Sequence, residues 1–228
     1  MTNVIELKKI SKVFGTSVKQ QVLFDIDLNF EANSFNSIIG QSGSGKSTLL
    51  NIVGTLDKPT SGEVYINNKR TDQMTKKELA LLRNEDIGFI FQFHYLLPEF
   101  SVIENVLMPY RITHRRIPPE IRERAEELLD FVGLSKIKNN NATAISGGQA
   151  QRTAIARALL NKPKIILADE PTGNLDSDTT TQVYNLLRSL NEKYGTTFVV
   201  ITHDPHVAEK TDRIIELKDG KIIMDILT

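Results

Sequence analysis

Residues 40 to 48 form a glycine- and serine-rich loop that matches the phosphate-binding pattern G-x-x-x-x-G-K-[S/T]. The loop lies where that chemistry requires, between an apolar segment (35–40) that predicts a strand and a segment (46–56) that predicts a helix. Glycines let successive backbone N–H groups point at one anion, and the helix adds the positive end of its dipole. The pattern predicts that phosphate groups are bound by Gly40, Gln41, Ser42, Gly43, Ser44, Gly45, Lys46, Ser47 and Thr48. Lys46 is expected to reach the β- and γ-phosphates of a nucleotide, and Ser47 to bind Mg²⁺.

Two carboxylates, Asp169 and Glu170, end a second apolar strand pattern at 164–170. Ligands of open α/β sheets bind beyond the carboxyl ends of the strands. Asp169 is therefore expected to hold Mg²⁺ through its water shell, and Glu170 to polarise an attacking water molecule. Alone, the pair could simply end a strand before Pro171, but together with the phosphate loop it predicts nucleotide hydrolysis.

Two further polar residues follow predicted strands at the same edge. His203 comes after the β-branched strand 196–202, and Gln92 comes after the strand 87–91. An isolated histidine is usually a surface or core residue, but this position beside the loop and the acids indicates a catalytic role. The amide oxygen of Gln92 could bind Mg²⁺ or the water. His206 has no comparable placement, and we assign it no role.

A second pair of glycines precedes a predicted helix, in the sequence Ser146-Gly147-Gly148-Gln149. Ser146 and Gln149 fit a capping box. That motif does not explain two glycines in a first turn, where each costs about 1 kcal/mol relative to alanine. Close approach of a ligand to the backbone does explain them. Since only the first loop carries a lysine and a hydroxyl for Mg²⁺, we expect a homodimer in which each chain's second loop closes the nucleotide site of the other.

The pattern of strands and helices predicts one α/β domain over residues 1–228. Two N-terminal strand patterns predict an antiparallel β-subdomain, and the second of them (21–30) alternates Val22, Phe24, Ile26, Leu28 and Phe30 on its apolar side. The unalternating apolar strands 164–170 and 196–202 are typical of parallel strands covered on both faces. Residues 93–160 have a helical pattern and predict an α-helical subdomain inserted in the core, and 213–226 predict a terminal hairpin around Asp219-Gly220.

Composition limits the classes of function. Lys and Arg total 28, as do Asp and Glu, so the net charge of zero argues against a nucleic-acid partner. Cysteine is absent, which excludes disulfides and cysteine zinc sites. The N-terminus lacks the profile of a signal peptide and no apolar run reaches the ~20 residues of a membrane span, so we expect a cytosolic chain.

At this point the sequence resembles the ABC-type ATPases over nearly its whole length. The resemblance is carried by GQSGSGKST (Walker A), ILADE (Walker B), Gln92 (Q-loop), Ile145-Ser146-Gly147-Gly148-Gln149 (signature), Asn174-Leu175-Asp176 (D-loop) and His203 (switch histidine). Isoleucine replaces the usual leucine at the start of the signature. The resemblance implies a P-loop NTPase (RecA-like) core, ATP and Mg²⁺ as cofactors, and an adenine stacked on Phe14.

Finer detail is similar to the ATPases of lipoprotein-releasing and macrolide-export systems, as in GTLDKPTSGEV and ADEPTGNLDS. This resemblance implies a head-to-tail dimer that drives a separate integral-membrane permease from the cytoplasmic face of the cell membrane. Two alternatives remain: a soluble ATPase acting on DNA or ribosomes, which the zero charge and the absence of a long insertion disfavour, and an ATP-switched mechanical or signalling partner of a membrane complex that transports nothing.

The segment after Gln92, FHYLLPEF at 93–100, is dense in aromatic and apolar residues. These side chains could pack inside the helical subdomain. Alternatively, some of them remain exposed and form a groove for a short cytoplasmic helix of the permease, because aromatic residues are favoured at interface cores.

Overall fold

The computed structural model describes residues 2–15, 18–203, 208 and 210–228. His206, to which the sequence assigned no role, lies outside the described residues. The strands are β1 (Asn3–Phe14), β2 (Gln20–Glu31), β3 (Phe35–Ile39), β4 (Ser61–Ile66), β5 (Lys69–Arg70), β6 (Ile87–Phe91), β7 (Ile165–Asp169), β8 (Thr197–Ile201), β9 (Arg213–Lys218) and β10 (Lys221–Leu227). The α-helices are α1 (Lys46–Val53), α2 (Lys76–Asp86), α3 (Val102–Thr113), α4 (Pro119–Phe131), α5 (Gly147–Leu159) and α6 (Ser177–Tyr194), and short 3₁₀ turns occur at Ser135–Ile137 and Ala142–Ala144.

The central sheet has six strands in the order β10-β9-β3-β8-β7-β6. Every pairing from β9 to β6 is parallel, and only the terminal hairpin partner β10 is antiparallel. The prediction of parallel strands covered on both faces is confirmed by β8, which is buried throughout. Because β3, β8, β7 and β6 run in one direction, the residues that follow them meet at one edge.

A second sheet of four antiparallel strands has the order β2-β1-β4-β5, as the N-terminal pattern predicts. The expected alternation along β2 is wrong in its first half, because Leu23 is buried whereas Val22 and Phe24 are only partly so. The pairing with β1 shifts register there, and Asp25 has a φ of 45°. This bulge adds a residue to β2 and moves the buried side by one position.

The core lies on both faces of the central sheet. Alternate residues of β7 divide between them: Ile166 and Ala168 pack with helices α3 to α6, whereas Ile165 and Leu167 pack with α1 and the antiparallel sheet. The apolar run of β7 follows from this two-sided burial. The core therefore fixes the strand end that carries Asp169.

Helices α3, α4 and α5 occupy most of the stretch for which the sequence predicts a helical subdomain. Capping boxes begin α2 at Thr75, α3 at Ser101 and α5 at Ser146. Each box pairs two backbone N–H groups with side-chain oxygens at the helix start. Among the described residues, no helix combines the length and the apolarity that a bilayer crossing requires.

Candidate functional site

The phosphate loop connects β3 to α1 and has a backbone that only glycines adopt easily. Gly40, Gly43 and Gly45 have φ values of 146°, 80° and 104°. A Cβ on Gly40 would lie 2.1 Å from the carbonyl oxygen of Leu217, whereas a Cβ on Gly43 would meet nothing within 4 Å. A glycine is thus needed at position 40 because a side chain would clash with Leu217. At position 43 a glycine is needed because of the positive φ, although a side chain there would meet only open space.

Two further polar groups of the loop, on Lys46 and Ser44, are buried. The Lys46 ammonium donates hydrogen bonds of 2.8 Å to the carbonyl oxygens of Gly40 and Gln41, and the residue is almost completely buried. The hydroxyl of Ser44 is buried and, within the described part of the chain, has no hydrogen-bond partner. A buried hydroxyl without a partner is unfavourable, so it fits a loop that accepts a polar ligand.

The loop meets the end of β7 through Ser47. Its hydroxyl donates a 3.3 Å hydrogen bond to Asp169 Oδ1. Burial raises the pKa of the Asp169 carboxyl, the hydrogen bond from Ser47 lowers it, and the charges of Glu170 and Lys46 act in opposite directions. The two oxygens are of the kind that Mg²⁺ prefers, and Mg²⁺ usually completes its shell with water and substrate phosphates.

Glu170 leaves β7 with an unusual backbone, because its φ is 46°. Its N–H donates to the carbonyl oxygen of Ile201 at the end of β8, and its own carbonyl accepts from Gly173. His203 follows β8, and its Nδ1 lies 3.6 Å from Glu170 Oε2. The structure therefore brings the expected acid and the expected histidine together.

Gln92 follows β6 and lies against the loop after β7. Its side-chain Nε2 donates to Asn174 Oδ1 at 3.3 Å, while Asn174 Nδ2 donates to the Gln92 carbonyl oxygen at 3.4 Å. A Cβ on Gly173 would lie 2.6 Å from Gln92 Nε2, so this glycine makes room for the amide. The sequence placed Asn174 in a motif but did not predict this pairing.

The second glycine loop is not part of this cluster. Ser146 caps α5 in a capping box with Gln149, as predicted. Ser146, Gly147 and Gly148 line a separate concavity of about 590 Å³ together with Asn174–Asp176 and Thr179, and no residue of the phosphate loop lines it. Each chain thus presents two glycine loops to different surroundings.

Phe14 ends β1 with its side chain 43% exposed. The ammonium group of Lys12, which is paired with Asp57, lies 4.8 Å from the centre of the Phe14 ring. A ring that is supported in this way and open to solvent can stack on a flat ligand.

Arg157 on α5 is a residue that the sequence did not single out. Its guanidinium donates two 2.7 Å hydrogen bonds, to the carbonyl oxygens of His94 and Tyr95. The loop after Gln92 is therefore fastened to the helix that begins at the second glycine loop. No motif marks this contact, since a single arginine on a helix has no distinctive pattern.

Comparison with known proteins gives concordant matches. The family model described as ABC transporter matches residues 23–173. The lipoprotein-releasing system ATP-binding protein LolD 1 of Rhodopseudomonas palustris is 49% identical over 224 residues, which cover 97% of this chain and 99% of the relative. LolD of Bacteroides fragilis is 47% identical over 220 residues, covering 96% of this chain and 100% of the relative.

Two solved structures are similar over nearly the whole chain. The ATP-binding cassette MJ0796, in a dimeric post-hydrolysis state bound to ADP and Pi, has a TM-score of 0.89 at 45% identity and covers 98% of both chains. The cbiO1 protein of Clostridium perfringens, part of an ABC transporter complex, has a TM-score of 0.88 at 28% identity, covering 99% of this chain and 88% of its own.

Proposed function

The chain belongs to the ABC transporter family as an ATP-hydrolysing subunit, and we propose that it works as a head-to-tail dimer that drives a permease of the lipoprotein-releasing type. The observation that carries the proposal is the meeting of the phosphate loop with Asp169 and Glu170 at one sheet edge, with Ser47 and Asp169 in hydrogen-bond contact. Relatives from two distant organisms are named as lipoprotein-releasing ATPases. Such a subunit acts at the cytoplasmic face of the cell membrane.

Residues 40–48 would bind the phosphates of ATP. The ammonium of Lys46 donates hydrogen bonds to two loop carbonyl oxygens, and phosphate oxygens, which are negatively charged, would be stronger acceptors in their place. The Ser44 hydroxyl would gain the partner that it lacks, and the open space at Gly43 would admit the anion. Phe14 would stack on the adenine ring.

Mg²⁺ fits the oxygen atoms at this edge. Ser47, Asp169 and Gln92 would hold it, with the ATP phosphates as further ligands. When bound, the ion neutralises charge that develops on the phosphates. Partial burial raises the pKa of the Asp169 carboxyl, and a divalent cation beside it would favour the ionised form.

Glu170 and His203 would carry out the proton chemistry. The Glu170 carboxylate is the candidate to accept a proton from the attacking water, and His203 is close enough to orient that carboxylate. The left-handed backbone of Glu170 is held from both sides by hydrogen bonds, which keeps its side chain at the strand end. Strained residues of this kind are common at active sites.

The second loop would complete the site of the partner chain. Ser146, Gly147, Gly148 and Gln149 begin a helix whose N–H groups suit a γ-phosphate. They line a concavity that no residue of the chain's own phosphate loop lines, which favours a second copy as the source of that loop. The similar cassette MJ0796 is dimeric in its solved structures, which supports a dimer for this chain.

The permease would bind at the surface next to the loop after Gln92. The side chains of Phe93 and Tyr95 are 62% and 65% exposed, as the interface hypothesis requires. The Tyr95 ring packs edge-on against Phe91, which lines a groove of about 420 Å³ between α2, β6, the end of α3 and α5. We refer to this concavity as the α2–α5 groove.

Lys46→Ala tests the nucleotide site. It should weaken ATP binding by one to two orders of magnitude, because a charge-assisted contact of about 1.5–3 kcal/mol is lost. ATP affinity is measured by titration of the purified chain. The control is Lys136→Ala, which removes an exposed lysine outside the phosphate loop. Unchanged affinity in Lys46→Ala would show that the nucleotide binds elsewhere.

A further inference from the structure

The α2–α5 groove has a mixed lining of apolar, amide and basic groups. Its lining includes the apolar side chains of Leu56 and Ile112, the amides of Asn84 and Asn161, and the guanidinium groups of Arg83 and Arg157. Leu56 and Ile112 are 49% and 71% exposed, so the apolar mouth has no cover from the described part of the chain. An apolar mouth of this kind suits an apolar partner segment.

The charges of the groove have one sign. Arg83 on α2 and Arg157 on α5 line it, and no aspartate or glutamate is among its lining residues. The whole chain has equal numbers of acidic and basic residues, 28 of each. The lack of acids in the groove is thus a local property and not a result of composition.

Neither guanidinium is neutralised within the described residues. Arg157 donates only to the carbonyl oxygens of His94 and Tyr95, and Arg83 only to the carbonyl and hydroxyl oxygens of Thr55. Neither arginine forms an ion pair with a described residue. Burial lowers the pKa of Arg157, but an arginine side chain stays charged in a protein. Both are partly buried, so a partner that covers them removes further water from two unpaired cations.

The amides of the groove cannot replace an acid, because they already bind each other and the backbone. Asn161 Nδ2 donates to the carbonyl and side-chain oxygens of Asn84, and Asn84 Nδ2 donates to the carbonyl oxygen of Pro109. Among the residues that line the groove, the two arginines are the ones that carry a charge.

We propose that the segment which docks in the α2–α5 groove is an apolar helix that carries an aspartate or glutamate on its apolar side, and that this carboxylate pairs with Arg157 and Arg83. The inference rests on the proposed function, in which a permease segment binds here, and adds the chemistry of that segment. A wholly apolar helix would desolvate two cations without compensation, so the same arginines exclude it. A basic segment is excluded by repulsion.

Two synthetic peptides test the proposal directly. Each is an amphipathic helix of about 14 residues, near the length at which isolated helices become stable. They differ only at one central position of the apolar face, which is glutamate in one and glutamine in the other. Binding to the full chain is measured by fluorescence anisotropy. The glutamate peptide should bind about tenfold more tightly, since a charge-assisted hydrogen bond is about twice as strong as a neutral one.

Variants of the chain identify the arginines as the cause. The preference for glutamate should decrease in Arg83→Gln and in Arg157→Gln and disappear in the double variant, while Arg122→Gln, an exposed site on α4, keeps it. In Arg83→Glu, a third peptide with lysine at the central position should bind better than the glutamate peptide. Arg157→Gln loses two hydrogen bonds to the backbone, and its melting temperature shows whether it stays folded. If it unfolds, the peptide preference of Arg83→Gln still tests the proposal.

Equal binding of the two peptides, failure of both to bind at the highest soluble concentration, or a preference that survives the double variant would overturn the proposal. ATP hydrolysis by the isolated chain and the Lys46→Ala titration report on the proposed function without involving the groove. The two proposals can therefore fail separately.

Discussion

Replacing Glu170 by glutamine should separate ATP binding from ATP hydrolysis. The substitution keeps the size of the side chain and removes the negative charge that lies 3.6 Å from the His203 ring nitrogen. The backbone hydrogen bonds that hold residue 170 involve only its N–H and carbonyl groups, so they survive the change. The phosphate loop is not touched.

The expected loss follows from the role of a general base. Such groups contribute about 10²–10⁴-fold, which corresponds to about 3–5 kcal/mol of the activation barrier. Turnover, measured as phosphate release, should fall by that factor. ATP affinity should stay within the range of the unmodified chain. A nucleotide-bound dimer should accumulate, because closure no longer ends in hydrolysis, and size-exclusion chromatography with ATP detects it.

Two controls make the result specific. Glu123→Gln, at an exposed position on α4, removes the same charge elsewhere and should leave turnover unchanged. His203→Ala removes the neighbour that orients Glu170 and should lower turnover with little change in ATP affinity. Turnover of Glu170→Gln close to that of the unmodified chain would refute the assignment and make His203 the first alternative as the base.

Ser146→Arg should abolish hydrolysis, because the bulky cation would lie where the partner's γ-phosphate is expected, while ATP binding by the monomer stays almost intact. Phosphate release measures the first effect and ATP titration the second. Normal turnover would exclude a composite site. Tyr95→Asn and Leu97→Ala should lower permease-stimulated hydrolysis more than basal hydrolysis. Asparagine is chosen for position 95 because it tolerates the φ of 47° better than alanine does. Equal loss of both activities with a lower melting temperature would show that these side chains belong to the core.

Most of the architecture can be predicted from the sequence because strands and helices have clear periods and ends. The strand of residues 87–91 has the predicted bounds, and α6 ends at Tyr194 before Gly195, whose φ of 62° is typical of a glycine that stops a helix. The meeting of these strand ends at one edge follows from parallel pairing. Phosphate loops, paired acids and capping boxes are local motifs, so they can also be recognised directly.

The bulges of the antiparallel sheet could not be predicted, because they arise from pairing between distant segments. Lys9 and Asp25 have φ values of 51° and 45° within strands whose sequences show no glycine at those positions. The apolar alternation in the sequence of β2 continues through the shift without a break, so a single-strand pattern does not reveal where the buried side changes. The Gln92–Asn174 pair and the Arg157 contacts are also tertiary, since 82 and 62 or 63 residues separate the partners.

The loop after Gln92 is attached at two points to segments that also border the second glycine loop. Gln92 is bonded to Asn174, which lines the same concavity as Ser146–Gly148. The carbonyl oxygens of His94 and Tyr95 accept hydrogen bonds from Arg157, which lies on the helix that Ser146 caps. A partner bound in the α2–α5 groove could therefore shift the loop after Gln92. That loop contacts Asn174 and Arg157, which lie on the two segments next to the signature sequence. In a head-to-tail dimer that sequence faces the other chain's nucleotide, so movement at one permease contact would be felt at the opposite ATP site. The acidic group that we infer on the permease would pair with Arg157. The same side chain would then both bind the permease and hold the loop after Gln92 against α5.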